Sequence, residues 1–206
     1  MGPPDEVPEF PIYDTYDLPD TESAAFSLSA PCNWLQVYEN HQDPIHTVFL
    51  HTRGNDVHFG DAWGEVQVLE YFDTPLGMSN VQTRRWGDLV WCRTVECLLP
   101  NCNQTGAIWE QADEEKFFCR VGFTRWMVPV DDTHTITIGW RYYNALIDPQ
   151  QIGDISNVGK EKIDFVGQTE DERSYEERQR NPGDFEAQVP QRPIALHDME
   201  NLGATD

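Results

Sequence analysis

The groups best suited to chemistry crowd into thirteen residues, ENHQDPIHTVFLH at positions 39–51. Imidazole is a common metal ligand, and His46 and His51 offer two here. On an ideal helix two side chains five residues apart point about 140° away from each other, so these histidines do not share a face as the pair in HExxH does. Convergence on one metal would require a bend or a helix end. On spacing alone both are ordinary polar or core histidines, and Asp184, which follows Gly183, is a surface carboxylate. The five cysteines (Cys32, Cys92, Cys97, Cys102, Cys119) form neither a CxxC nor a CxH pair, so they read as ordinary reduced thiols.

The elements around that stretch follow from hydrophobic spacing. Over 32–51 the apolar residues Trp34, Val37, Tyr38, Ile45, Val48 and Phe49 recur at helical intervals. Pro44 divides them into two short helical pieces, with Asp43 as N-cap of the second and Pro44 in its first turn. The segments 64–72, 79–86, 88–100, 115–130 and 133–144 are rich in Val, Ile, Thr and aromatics and are punctuated by Gly, Pro, Asn and Asp, which predicts sequential antiparallel strands. Asp131, Asp132 and Thr133 mark a hairpin between the last two. Beyond Asn144 the β signal fades, the charged run at 170–180 reads as a solvated helix or loop, and Ile194, Met199 and Leu202 return to helical spacing. One α+β domain with an antiparallel sheet and helices on one face accounts for this order.

Charge and composition exclude other classes. The 206 residues carry 14 Lys plus Arg against 36 Asp plus Glu, a net charge of −22. A phosphate-driven nucleic-acid binder and a protein held on an anionic membrane are both disfavoured. Hydrophobic residues make up 39% and aromatics 12%, with seven Trp, enough for an aromatic-rich core. No long apolar run suggests a membrane span, and the first residues lack the pattern of a signal peptide, so a cytoplasmic protein is expected. Residues 1–52 hold no Lys or Arg, and five of the fourteen prolines fall in the first nineteen positions. That opening reads as an extended segment lying over a surface.

The register ENxxDxxHxxxxH resembles the iron-binding segment of Rieske non-haem iron aromatic ring-hydroxylating oxygenase α subunits. DFEAQ at 184–188, Pro193-Ile194 and LGATD at 202–206 are similar to the DxxxQxxxxPI…LGxxD stretch of the phthalate dioxygenase and O-demethylase branch. The opening GPPDEVPEFP looks like the segment that leaves its Rieske domain. The resemblance implies a helix-grip (START/Bet v 1-like) fold, with His46, His51 and Asp184 as ligands of a mononuclear Fe(II). It implies that Asp43 bridges a ligand histidine to a cluster in a neighbouring subunit, and that Asn40 lies near the iron in the substrate pocket. His41, His58, His134 and His197 match no ligand position and read as structural or surface residues. Trp86, Trp91, Trp109, Phe118, Phe123, Trp126 and Trp140 supply core and pocket walls. Arg84, Arg85, Arg120, Arg125 and Arg141 are candidates for pairing with a substrate carboxylate, internal salt bridges being their commoner use.

The CxH and CxxH pairs that would hold a [2Fe–2S] cluster are missing. The expected organisation is therefore an extended Pro-rich segment at 1–30, following an absent Rieske domain, and a C-terminally truncated catalytic domain at 31–206. Through the resemblance, the expected activity is hydroxylation or O-demethylation of a carboxylated aromatic with dioxygen. Electrons would come from a reductase or ferredoxin, and the full-length form would be a homotrimer; this portion alone would not turn over with a reductase. The rival expectation is a metal-free helix-grip module that binds a small molecule. A zinc hydrolase using the same ligands is disfavoured because nothing marks a general base beside them.

Overall fold

The computed structural model describes residues 3–7, 9–52, 59–109, 120–201 and 203. Seven strands form one sheet: β1 (Glu22–Ala30), β2 (Val68–Thr74), β3 (Gly77–Trp86), β4 (Leu89–Leu98), β5 (Cys102–Gly106), β6 (Val121–Asp131) and β7 (His134–Tyr143). Their spatial order is β1-β7-β6-β5-β4-β3-β2, and every neighbouring pair is antiparallel. The short helices are α1 (Trp34–Asn40), α2 (His46–Leu50), α3 (Tyr175–Arg180) and α4 (Asp184–Gln188). The expected α+β architecture is the one observed. Among the described residues no helix is long and apolar enough to cross a membrane.

Alternation builds the inner face of the sheet. In β4 Trp91, Arg93, Val95 and Cys97 are buried while Cys92, Thr94 and Glu96 are exposed, as a period of two requires of a half-buried strand. The register sets Cys97 beside Asn103, and Asn103 beside Arg125, so polar groups recur along this face. At the predicted hairpin, β6 and β7 meet where Asp131 pairs with His134, and the Asp131 carboxylate accepts from the Thr133 amide at 2.7 Å.

Two strands lie outside the sequence expectation. β1 is rich in Ala and Ser and β5 reads CNQTG, compositions with little strand preference of their own; the exposed ladders of β7, β4 and β6 impose them. The first expected strand begins later, at Val68, behind a 3-10 turn at Asp61–Gly64. The helical spacing near the C-terminus is corrected too: it holds 3-10 turns at Val189–Gln191 and His197–Met199, and Ile194 and Met199 are exposed. A run of polar and Pro residues leaves no apolar stripe to bury there. The charged run does contain a solvated helix, α3, started by a capping box between Ser174 and Glu177. Residues 115–119 with Phe118 and Cys119, as well as His58 and Leu202, lie outside the described residues.

One core cluster gathers Phe26, Leu28, Phe59, Trp63, Trp91, Ile108, Trp109 and Phe123. A second packs Val37 and Tyr38 of α1 against Cys97 and Met127 of the sheet, which anchors the start of the 39–51 segment. Asn33 caps α1 by accepting from the Leu35 amide at 3.0 Å.

Candidate metal centre

His46 and His51 converge because α2 is a single short turn with one histidine at each end. His46 is its first residue and His51 its C-cap, and their ring centroids lie 5.3 Å apart. The turn is started by Asp43, whose carboxylate accepts from the amides of Ile45 at 3.0 Å and His46 at 3.3 Å. Pro44 sits where its missing N–H costs nothing. The His46 Nδ1 lies against the backbone carbonyl of Asp43, which leaves Nε2 free to face inward. Asp43 thus touches His46 through its carbonyl, while its carboxylate holds the amides of Ile45 and His46.

Asp184 arrives from the other end of the chain as the first residue of α4. The entry is tight: a Cβ on Gly183 would stand 2.3 Å from the Cα of Gly167. Gly167 itself has φ +78°, a conformation that favours glycine. The Phe185 amide donates to the Gly167 carbonyl at 2.9 Å, and the Glu186 carboxylate accepts from the Gly183 amide at 2.8 Å. Gln36 ties the elements together, donating to the carbonyls of Gln188 and Arg192.

The three side chains meet in the interior. Asp184 Oδ1 lies 3.1 Å from His51 Nε2 and 3.4 Å from His46 Nε2, and one donor atom from each residue falls within 4.8 Å of the others. Asn40 donates to Oδ1 at 3.2 Å and Gln168 to Oδ2 at 2.5 Å. His51 is 2% exposed and Asp184 8%. Burial raises the Asp184 pKa, but His51 and then His46 outweigh it and hold the carboxyl well below the usual carboxylate range. Burial opposes charge on His46 as well, yet the Asp184 carboxylate raises its pKa. Two imidazole nitrogens and one carboxylate on a single wall fit a divalent metal: the donor set matches a 2-His-1-carboxylate site, and the cavity lies on the open side.

That cavity opens to solvent, and the empty space within it and at its mouth is about 540 Å³. Phe59, Trp63, Ile108, Phe123 and Phe165 form its apolar wall, while Gln82, Arg93, Thr105 and Arg125 bring polar groups into it. His41, read as structural or surface, also lines it, and burial followed by the charge of Arg125 holds its pKa well below the ordinary histidine value. Of the arginines singled out in the sequence, Arg125 reaches the cavity and Arg141 does not; Arg141 pairs with Asp164 at 3.2 Å with both side chains buried. Arg84 bonds the Glu65 carbonyl and Gln82, while Arg85 bonds the Gly87 carbonyl. Gln168 carried no signal in its polar stretch. Arg93 did carry one, as a charged residue at an inward position of an alternating strand.

The chain aligns over its whole length, at 43% identity, with the tert-butanol monooxygenase / tert-amyl alcohol desaturase oxygenase subunit of Aquincola tertiaricarbonis, of which it covers 46%. Its homologues are oxygenase subunits of Rieske-type oxygenases. Two further homologues are the phenoxybenzoate dioxygenase α subunit of Ectopseudomonas oleovorans, at 29% identity and 50% covered, and the 5,5'-dehydrodivanillate O-demethylase oxygenase subunit of Sphingobium, at 26% and 45%. These oxygenase subunits are oxidoreductases, and the chain spans about half the length of each. No family model matches. Among solved structures, dicamba monooxygenase bound to 3,6-dichlorosalicylic acid superposes with a TM-score of 0.50 at 14% identity, over 68% of this chain and 45% of that one, which shows a shared fold.

Proposed function

We propose that the chain is the catalytic portion of a Rieske-type oxygenase that hydroxylates or O-demethylates a carboxylated aromatic substrate with dioxygen. The observation that carries this reading is the convergence of His46, His51 and Asp184 on the wall of a cavity otherwise lined with aromatic rings. Bound there, Fe(II) would supply dioxygen activation. The protein's own part is to keep Asp184 ionised, to fix the Nε2 of His46 inward through the Asp43 carbonyl, and to hold a flat apolar substrate between Phe59, Phe123 and Phe165 away from bulk water. Asn40 and Gln168 orient the carboxylate.

A [2Fe–2S] cluster in a Rieske domain and a reductase or ferredoxin would complete the system, and Asp43 would stand between His46 and the cluster of a neighbouring subunit in a homotrimer. The exposure of Asp43 supports that placement. Free thiols at Cys32, Cys92, Cys97 and Cys102 support a reducing, cytoplasmic setting.

Anaerobic Fe(II) loading followed by metal analysis tests the reading. Wild type should bind one iron per chain, whereas His46→Ala and Asp184→Ala should lose it; uptake by both variants equal to wild type would favour the metal-free binding module. Peroxide-driven oxidation of methoxybenzoates and phthalates by the loaded protein then tests the chemistry.

A further inference from the structure

Arg125 is a buried cation in that cavity, and among the described residues it forms no ion pair with a carboxylate. It projects from the inner face of β6, is 9% exposed and lines the same cavity as the histidines and Asp184. Its guanidinium is oriented by two neighbours on β5: Nε donates to Asn103 Oδ1 at 3.3 Å and Nη2 to Thr105 Oγ1 at 3.2 Å. Thr105 in turn donates to Asn103 Oδ1 at 2.7 Å, and Asn103 donates to the Glu96 carbonyl at 3.1 Å, so the head group is fixed rather than free to swing. Among the described residues no carboxylate forms an ion pair with Arg125. The contrast is Arg141 on the neighbouring strand β7, which is fully buried and balanced by Asp164, a carboxylate that also accepts from the Tyr143 hydroxyl.

A buried charge is costly unless paired. The titratable groups around Arg125 do not balance it. His41 is held neutral, burial keeps the Cys97 thiol protonated, and Asp184 is engaged by two histidines. Burial pushes Arg125 down to about 10, with Asp184 acting in the opposite direction, so it remains a cation at neutral pH. A metal beside Asp184 would add further positive charge.

We propose that Arg125 is the specificity-determining residue of this cavity and that it holds the carboxylate of the substrate, with Asn103 and Thr105 as positioning residues. The inference rests on the oxygenase reading for the location of the substrate and deepens it by naming the group that is recognised. The planar guanidinium keeps N–H groups beyond the two used by Asn103 and Thr105, and these suit a carboxylate oxygen. The rings of Phe59, Phe123 and Phe165 take the apolar part of the ligand.

The test is ligand-observed NMR titration of the full chain with benzoate, its neutral isostere benzamide, and tert-butanol. Wild type should bind benzoate about 10- to 100-fold more tightly than benzamide, the range of a charge-assisted hydrogen bond. Arg125→Gln should abolish that preference and Arg125→Lys should retain part of it. Asn103→Asp places a carboxylate beside Nε with the arginine still present, and should abolish the preference as well, which keeps the test decisive if Arg125→Gln fails to fold. Equal binding of benzoate and benzamide by wild type, a preference for tert-butanol, binding of none of the three, or an undiminished benzoate preference in Asn103→Asp would each overturn the assignment. Iron uptake is read separately. Uptake without anion preference sinks the role of Arg125 alone, while anion preference without uptake sinks the oxygenase reading and leaves the anion site standing.

Discussion

Asp184 Oδ1 stands 3.1 Å from His51 Nε2 although 133 residues separate the two in the chain. The contact closes the only cluster of three metal-ligating side chains found among the described residues, and it depends on the path that brings α4 against the turn between α1 and α2. Most of what can be tested concerns that path and the sheet behind it.

Gln168 donates to Asp184 Oδ2 at 2.5 Å. Substituting Gln168→Leu removes the hydrogen bond that fixes the carboxylate plane. Fe(II) affinity should fall about 10- to 100-fold, as for other groups that orient a ligand, when measured by competition with a chelator of known affinity. An unchanged affinity would show that Asn40 alone suffices to orient the carboxylate.

Gly183 has no room for a side chain, since its Cβ would meet Gly167 Cα at 2.3 Å and the Gly167 carbonyl oxygen at 2.4 Å. Backbone atoms cannot give way as a flexible side chain would. Gly183→Ala should therefore lower stability by about 1–3 kcal/mol, the usual cost of forced overpacking, and weaken iron binding by displacing Asp184. Urea unfolding and metal analysis measure the two effects, and wild-type values in both would refute the tight approach.

The thiols should divide by burial. Cys92 is exposed, whereas Cys32 and Cys102 are buried and pushed up to about 11, in each case chiefly by desolvation. Since the thiolate is the reactive species, a maleimide at neutral pH should label Cys92 rapidly, and Cys32 and Cys102 only after unfolding. Peptide mass spectrometry reads the order, and rapid native labelling of Cys32 would contradict the packing of α1 on the sheet.

The β6–β7 turn should be acid-resistant. The Thr133 amide, then His134 and the Thr133 hydroxyl, lower the Asp131 pKa from an ordinary 3.8 to about 2. A carboxyl depressed on folding stabilises the turn fully above its unfolded value, and that contribution is lost as pH falls through the folded value. The Asp131 carboxyl resonance should therefore titrate near pH 2, with turn order kept at pH 4. A midpoint near 4 would show that the cap is not formed in solution.

Met127 is fully buried between α1 and the sheet. Met127→Ala should cost about 2–5 kcal/mol, the range for large-to-small changes in a packed core, measured by denaturant unfolding. A loss below 1 kcal/mol would mean that α1 repacks freely.

What could be read locally is what short-range physics controls. The split of 39–51 at Pro44, the Asp131 turn and the alternation of β4 depend on hydrogen bonds and burial within a few residues, and each is legible in the order of side chains; Asp43 holds the Ile45 and His46 amides, but the N-cap position of α2 falls to Ile45 rather than to Asp43. The C-terminal apolar spacing failed because its polar and proline-rich context offers no face to bury. Asp184 stood out only through resemblance to a family, since nothing near it marks a ligand. The tertiary structure decided the rest. It recruited the weak strands β1 and β5 onto exposed ladders and set Gly183 against Gly167 so that Asp184 faces two histidines. It also placed Gln168 on that carboxylate and left Arg125 in the cavity with no carboxylate paired to it among the described residues. These relationships join residues far apart in the chain, and only the packed fold brings them within reach of one another.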